Sequence, residues 1–80
     1  MTQPHIKIYS CTPCTWCDRV KALLAQHNMA WESEDITDDE PTWERLSREN
    51  NGWRTVPMVF VNGKFIGGFP ETQAWLKTQI

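Results

Sequence analysis

An α/β fold is predicted, a four-stranded mixed sheet flanked by three helices in the order β-α-β-α-β-β-α, and three observations predict it. A β-branched, alternating run from His5 to Ser10 leads straight into a segment of helical periodicity. A second strand-like run, Trp31 to Ile36, follows that helix and makes a strand–helix–strand unit. Asn62-Gly63 then separates two apolar runs as a two-residue hairpin turn, and an amphipathic segment closes the chain.

Each element has its own signal. His5 to Ser10 reads as a central strand. Thr15 to His27 is the first helix: Cys17, Val20, Leu23 and Leu24 fall on one face, and Asp18, Arg19, Lys21 and Gln26 on the other. Asn28 is its stop. Trp31 to Ile36 carries Glu32, Glu34 and Asp35, charges that suit an edge strand. Its link to the first strand contains a helix, so the two should be parallel with a right-handed crossover. Asp38-Asp39-Glu40-Pro41 starts the second helix, with acids at the positive end and proline in the first turn. That helix turns Trp43 and Leu46 inward and stops near Asn51-Gly52. Val56 to Val61 is the third strand and Lys64 to Ile66 the fourth, antiparallel to it through a type I′ turn. Gly67-Gly68 breaks the pattern. The last helix runs from Glu71 to the end, with Trp75, Leu76 and Ile80 as its apolar face.

Eighty residues make one domain, 1–80, close to the size at which a single core is only just sufficient. An apolar fraction of 40% with five tryptophans argues for a folded chain. The net charge of −2 and the lack of a basic block give no reason to expect nucleic acid. No apolar run is long enough to span a bilayer. Met1-Thr2-Gln3-Pro4-His5 lacks the charged and apolar regions of a signal peptide, so a cytoplasmic location is expected. Three clustered cysteines leave one over in any disulfide framework of the secreted kind, which fits a reducing compartment and a working disulfide.

The chemistry gathers where the first strand meets the first helix. Cys14 and Cys17 sit at the helix start, where unpaired backbone N–H groups and the positive end of the dipole favour thiolate over thiol. Cys14 should therefore be the nucleophile. Cys17 lies about one turn further on, within reach to close a disulfide. A Cys-x-x-Cys in that setting reads as a redox motif. A metal site is not expected. Cys11, Cys14 and Cys17 could offer three thiolates with His5 or His27 as a fourth ligand, but the paired spacing of structural zinc is absent.

Three separated motifs, in order and near the right spacing, resemble the glutaredoxin family over almost the whole chain: Ile8-Tyr9-Ser10 leading to Cys14-x-x-Cys17, Arg54-Thr55-Val56-Pro57, and Asn62-Gly63-Lys64-Phe65-Ile66-Gly67-Gly68. The resemblance implies the thioredoxin-like fold, glutathione as partner, and reduction of protein disulfides and glutathione mixed disulfides, with Cys14 attacking and Cys17 resolving. It implies no required metal or organic cofactor, a monomer, and disulfide or glutathionylated proteins as clients, ribonucleotide reductase among them. It places glutathione against Cys14, Trp16, Arg54, Thr55, Val56, Pro57, Gly68, Phe69 and Pro70. It further implies a cis bond before Pro57, which would turn the backbone of Val56 toward the cysteines to pair with an extended peptide. A plain strand-start proline is the bland alternative. Gly67-Gly68 would let a carboxylate approach a helix N-terminus, or would simply be a turn. Trp16 either flanks the ligand or covers the sheet edge, and its exposure decides which.

Three departures from the family pattern carry consequences. Cys11 stands where the family usually has Lys or Arg, removing a cation that would pair with a glutathione carboxylate and favour the thiolate. Phe69 and Pro70 follow the paired glycines, where the family binds the γ-glutamyl carboxylate with backbone N–H groups, and Pro70 has none. Thr15 replaces the proline common after the nucleophile, a replacement associated in the family with holding a [2Fe-2S] cluster between two subunits. Two alternatives follow: a redoxin reduced by thioredoxin reductase, or an iron–sulfur carrier built on Cys14 and glutathione.

Overall fold

The structure, a computed structural model, describes residues 4–79. Its elements are β1 (Ile6–Ser10), α1 (Thr15–Gln26), β2 (Glu32–Asp35), α2 (Glu40–Glu49), β3 (Met58–Val61), β4 (Lys64–Gly67) and α3 (Phe69–Lys77). The strands form one sheet in the order β2-β1-β3-β4. β1 is interior, as its apolar alternation requires. β2 runs parallel to it, pairing Ile8 with Ser33, and is the charged edge. β3 runs antiparallel on the other side, pairing Ile8 with Val59, and carries β4 with a register shift between Val59 and Phe60. The hairpin turn has positive φ at both Asn62 (53°) and Gly63 (83°), as a type I′ turn needs. Asn62 also ties the turn to the start of β1, its N–H donating to His5 O at 2.8 Å and its Oδ1 accepting from His5 N at 2.9 Å.

The sheet has apolar side chains on both faces. On one, Ile6, Ile8, Val59 and Val61 pack with Val20 and Leu24 of α1 and Leu76 of α3. On the other, Met58 joins Ile36 and Leu46, with Trp43, Trp53, Phe60 and Phe65 packed around them. Two small cores on one thin sheet leave little redundancy: a single buried Leu or Ile contributes about 1.5–3 kcal/mol, a large share of the stability of so short a chain. The predicted inward face of α1 is confirmed, with Cys17, Val20 and Leu24 buried. Asn28, at φ 57°, takes the left-handed position beyond the helix end. Asp39 caps α2, its carboxylate accepting from Thr42 N at 3.3 Å and Thr42 Oγ1 at 2.7 Å.

Two boundaries are corrected. β3 begins at Met58, not Val56, because Pro57 has no N–H to give to a ladder. α3 begins at Phe69, not Glu71, because a proline in the first turn lacks only an N–H that would have no partner there. Trp75 and Leu76 face the core as predicted. Ile80 lies outside the described residues. Among the described residues no helix is long and apolar enough to cross a membrane.

Candidate active site

The loop between β1 and α1 is held from outside before it presents any sulfur. Thr12 donates its backbone N–H to Thr37 Oγ1 at 2.8 Å and its hydroxyl to Asp35 Oδ2. Asp35 also accepts from the N–H of Thr37 at 2.9 Å and from the Thr37 hydroxyl. These bonds, that from the Thr12 side chain first and those from Thr37 next, with Lys21 adding its positive charge, lower the Asp35 pKa from 3.8 to about 2. The carboxylate is therefore ionised across the neutral range and clamps the loop to the end of β2.

Past the clamp, Cys14 is the residue that caps α1. Its backbone is extended (φ −153°, ψ 105°), and its Sγ accepts the Cys17 N–H at 3.2 Å. Cys14 and Cys17 form a disulfide with a Cα–Cα separation of 5.3 Å, ordinary for such a bond. Cys17 is 1% exposed, while Cys14 is half-buried. The two sulfurs thus differ in access: one is inside the core face of α1, the other at its open end. On reduction the N–H at 3.2 Å and the helix dipole remain beside Cys14, and both favour its thiolate.

Trp16, between the two cysteines in sequence, lines a groove of about 360 Å³, within the range of small-ligand sites. Of the residues expected to meet a ligand, Trp16, Thr55, Val56, Pro57, Gly68, Phe69 and Pro70 line it together. The peptide bond before Pro57 is cis, as the family resemblance implied, and so is the one before Pro13. Trp16 is 51% exposed, which settles its position: it forms a wall of the groove, tilted on Phe69 at 5.4 Å, and does not cover the sheet edge. Arg19 stacks on the Trp16 ring at 4.7 Å.

The structure does not bring every expected residue to that groove. Arg54 is exposed and is not part of the lining. Cys14 instead lines a separate cavity with Cys11, Cys17, Asp18, Lys21 and Asp35. Two groove residues were missed from sequence. Trp53 is folded back by its indole N–H, which donates to Thr55 O at 3.0 Å, and it packs edge-on against Phe65. Glu71 reaches back so that its Oε1 accepts the Gly68 N–H at 2.9 Å. The Gly68-x-x-Glu71 spacing, a glutamate three residues past a helix cap, was the signal for the second. For Trp53 the only signal was an aromatic in the loop leading to Val56-Pro57.

Among the described residues no group of three or more His, Cys, Asp or Glu could hold a metal ion. A [2Fe-2S] cluster takes four thiolates. With Cys17 buried, one chain presents at most Cys11 and Cys14 to solvent, so a cluster would need sulfurs from outside the chain; in the two-subunit arrangement with glutathione the residue that would hold it is the half-buried Cys14.

The glutaredoxin family model matches residues 6–66 of this chain. An uncharacterized monothiol glutaredoxin of Caenorhabditis elegans is 35% identical over 72 residues, covering 86% of this chain and 49% of its own length. The chloroplastic glutaredoxin-C4 of Oryza sativa is 36% identical over 74 residues, covering 90% of this chain and 56% of its own length. The chain therefore spans about half the length of these curated relatives. Among solved structures, a buckwheat glutaredoxin in complex with glutathione superposes with a TM-score of 0.84 at 28% identity, over 95% of this chain and 71% of that one.

Proposed function

The chain belongs to the glutaredoxin family, and on that premise we propose that it is a glutathione-dependent thiol–disulfide oxidoreductase in which Cys14 attacks and Cys17 resolves. Its sheet and helices are the thioredoxin-like glutaredoxin fold, and the family's members are thiol oxidoreductases. The observation that carries the finer reading is the pairing of a half-buried Cys14, its sulfur on the Cys17 N–H at the head of α1, with a buried Cys17.

In the proposed cycle the Cys14 thiolate attacks a sulfur of a protein disulfide or of a glutathionylated protein. A mixed disulfide forms on Cys14 and the displaced sulfur leaves as thiolate. Cys17 gives up its proton and attacks Cys14 Sγ, releasing the second thiolate and closing the Cys14–Cys17 bond. Two glutathione molecules then restore the dithiol and leave as glutathione disulfide. In the groove, the backbone of Val56 pairs with the glutathione peptide. The N–H of Phe69 at the start of α3 takes a carboxylate, that of Gly68 being held by Glu71, and Trp16 covers the ligand. The protein works as a monomer in the cytoplasm on disulfide or glutathionylated clients, ribonucleotide reductase being one candidate.

A second reading, a redoxin served by thioredoxin reductase, is favoured by the groove itself. Its lining carries one charged residue, and that residue is the acid Glu71, which repels the carboxylates of glutathione. One pair of assays separates the two: reduction of a glutathione mixed disulfide with glutathione and its reductase, and reduction of a protein disulfide with thioredoxin reductase. Turnover in the first, abolished in Cys14→Ser and kept in Cys17→Ser, is expected. Turnover in the second alone would overturn the glutathione reading.

A further inference from the structure

Cys11-Thr12-Pro13-Cys14-Thr15-Trp16-Cys17 contains two overlapping Cys-x-x-Cys units that share Cys14. Only the second is bonded, and Cys11 is a free, half-buried thiol. Its position is defined: Cys11 Sγ–H donates to Pro13 O at 3.6 Å. That carbonyl belongs to the peptide unit ending at the nitrogen of Cys14, so the Cys11 sulfur rests against the backbone that leads into the nucleophile. The chain bends at Thr12 and Pro13, and the Thr12 bonds to Thr37 and Asp35 hold the bend. As a result Cys11, Cys14 and Cys17 all line one cavity. An S–H···O bond is weak, so freeing Cys11 from Pro13 O costs little.

We propose that Cys11 is a second resolving thiol, forming an alternative disulfide with Cys14, so that the protein cycles through Cys11–Cys14 as well as Cys14–Cys17. The proposal rests on the reading of Cys14 as nucleophile. Cys11, deprotonated, attacks Cys14 Sγ in a mixed disulfide. The Cys11–Cys14 bond forms and the bond to the substrate or glutathione sulfur breaks. The electron pair leaves with that sulfur, which takes up the proton that Cys11 released. Starting from the Cys14–Cys17 disulfide, the same attack expels Cys17 as the thiol and is an isomerisation with no net oxidation. The two resolving thiols differ in access: Cys17 is 1% exposed, whereas Cys11 is within reach of solvent. The structure holds the Cys14–Cys17 bond with Cys11 free, which makes Cys14–Cys17 the major form and Cys11–Cys14 the minor one.

The test compares Cys17→Ser with Cys11→Ser/Cys17→Ser. Each is treated with one equivalent of glutathione disulfide and its disulfides are mapped by mass spectrometry. Cys17→Ser should close an internal Cys11–Cys14 bond and lose the glutathione adduct. The double variant should stop as the adduct on Cys14. With glutathione as reductant, the single variant should reduce a protein disulfide at least about tenfold faster than the double one, since a tethered thiol acts at high effective concentration. Because position 17 is buried, Cys17→Ala is run in parallel in case serine unfolds the helix start. An adduct that persists in the single variants, a disulfide between two molecules through Cys11, or equal rates for single and double variants would overturn the proposal. Loss of mixed-disulfide turnover in both single and double variants, with the fold intact, would instead remove the reading of Cys14 on which it rests.

Discussion

The Thr12 hydroxyl donates to the Asp35 carboxylate, joining the cysteine loop to the end of the edge strand side chain to side chain. With the Thr37 bonds it accounts for the lowered pKa of Asp35, and so it links the shape of the site to pH. The folded state binds a proton at Asp35 less readily than the unfolded chain does. Its stabilising contribution is therefore complete above the ordinary carboxylate value of 3.8 and is lost as pH falls from there toward about 2. Asp35→Asn should be less stable than the parent at pH 7, and the gap should close as pH approaches 2. Urea unfolding midpoints of both proteins across that range check this. A gap that stays constant would show that the charge of Asp35 is not what holds the loop.

Gly67 is fixed by its backbone and by its neighbour. Its φ is +126°, and a Cβ placed there would come within 2.5 Å of Glu71 Cγ and 2.7 Å of Glu71 Cβ. Those atoms are the root of the side chain that accepts the Gly68 N–H, so they cannot swing aside without breaking that bond. Gly67→Ala should cost about 1–3 kcal/mol. Gly68 has ordinary space, with Pro57 O the nearest atom at 3.4 Å, so Gly68→Ala should cost less. Denaturant titrations of the two variants give the order, and a reversed order would refute this account of the turn.

Pro70 lines the groove at the second position of α3 and has no N–H to offer a carboxylate. Pro70→Ala supplies one. Alanine is preferred to an acid because Glu71 already brings a carboxylate to the groove. A hydrogen bond to a charged group is worth about 1.5–3 kcal/mol, and each 1.4 kcal/mol or so is about tenfold in affinity. The Michaelis constant for glutathione should therefore fall by up to about tenfold at the lower figure. An unchanged constant, in a variant of unchanged stability, would place the carboxylate elsewhere.

Much of this arrangement was legible in the sequence because it depends on local rules. The alternation of Ile6 and Ile8, the charges of Glu32 and Glu34, and Asn62-Gly63 each report a face, an edge or a turn without knowledge of the rest of the chain. The cysteines at a helix start and the proline after Val56 are equally local. What escaped depends on how a side chain is turned by something distant or by an unread backbone bond. Trp53 lines the groove only because its indole N–H is caught by Thr55 O, and Arg54 misses it because the loop between α2 and β3 points that side chain to solvent. The clamp on Thr12 joins residues 23 and 25 positions apart, a pairing that periodicity does not report. The early start of α3 escaped for a different reason: the Gly67-Gly68 break places the expected helix start at Glu71, whereas Phe69 and Pro70 already form its first turn, where a helix tolerates proline.

Cys11 also permits an electrostatic test. Its side chain lies on the carbonyl that precedes Cys14 and lines the same cavity as Cys14. A lysine at that position would bring a positive charge toward the reduced Cys14 sulfur. A nearby cation favours the charged form of a thiol, so Cys11→Lys should lower the pKa of Cys14. It should also strengthen glutathione binding, since the ligand is an anion. Both effects should weaken as salt is raised, because the screening length is about 10 Å at 0.1 M and about 3 Å at 1 M. Asp18, Asp35 and Lys21 line the same cavity, so the new cation enters a field with one more acid than base and offsets that excess. The rate of alkylation of Cys14 against pH, read by mass spectrometry so that Cys17 does not contribute, measures the pKa in both proteins at low and high salt. The lysine variant should react at lower pH than the parent, with the difference shrinking at 1 M salt. An equal or higher Cys14 pKa in Cys11→Lys would mean that the N–H of Cys17 and the dipole of α1 already set the thiolate alone.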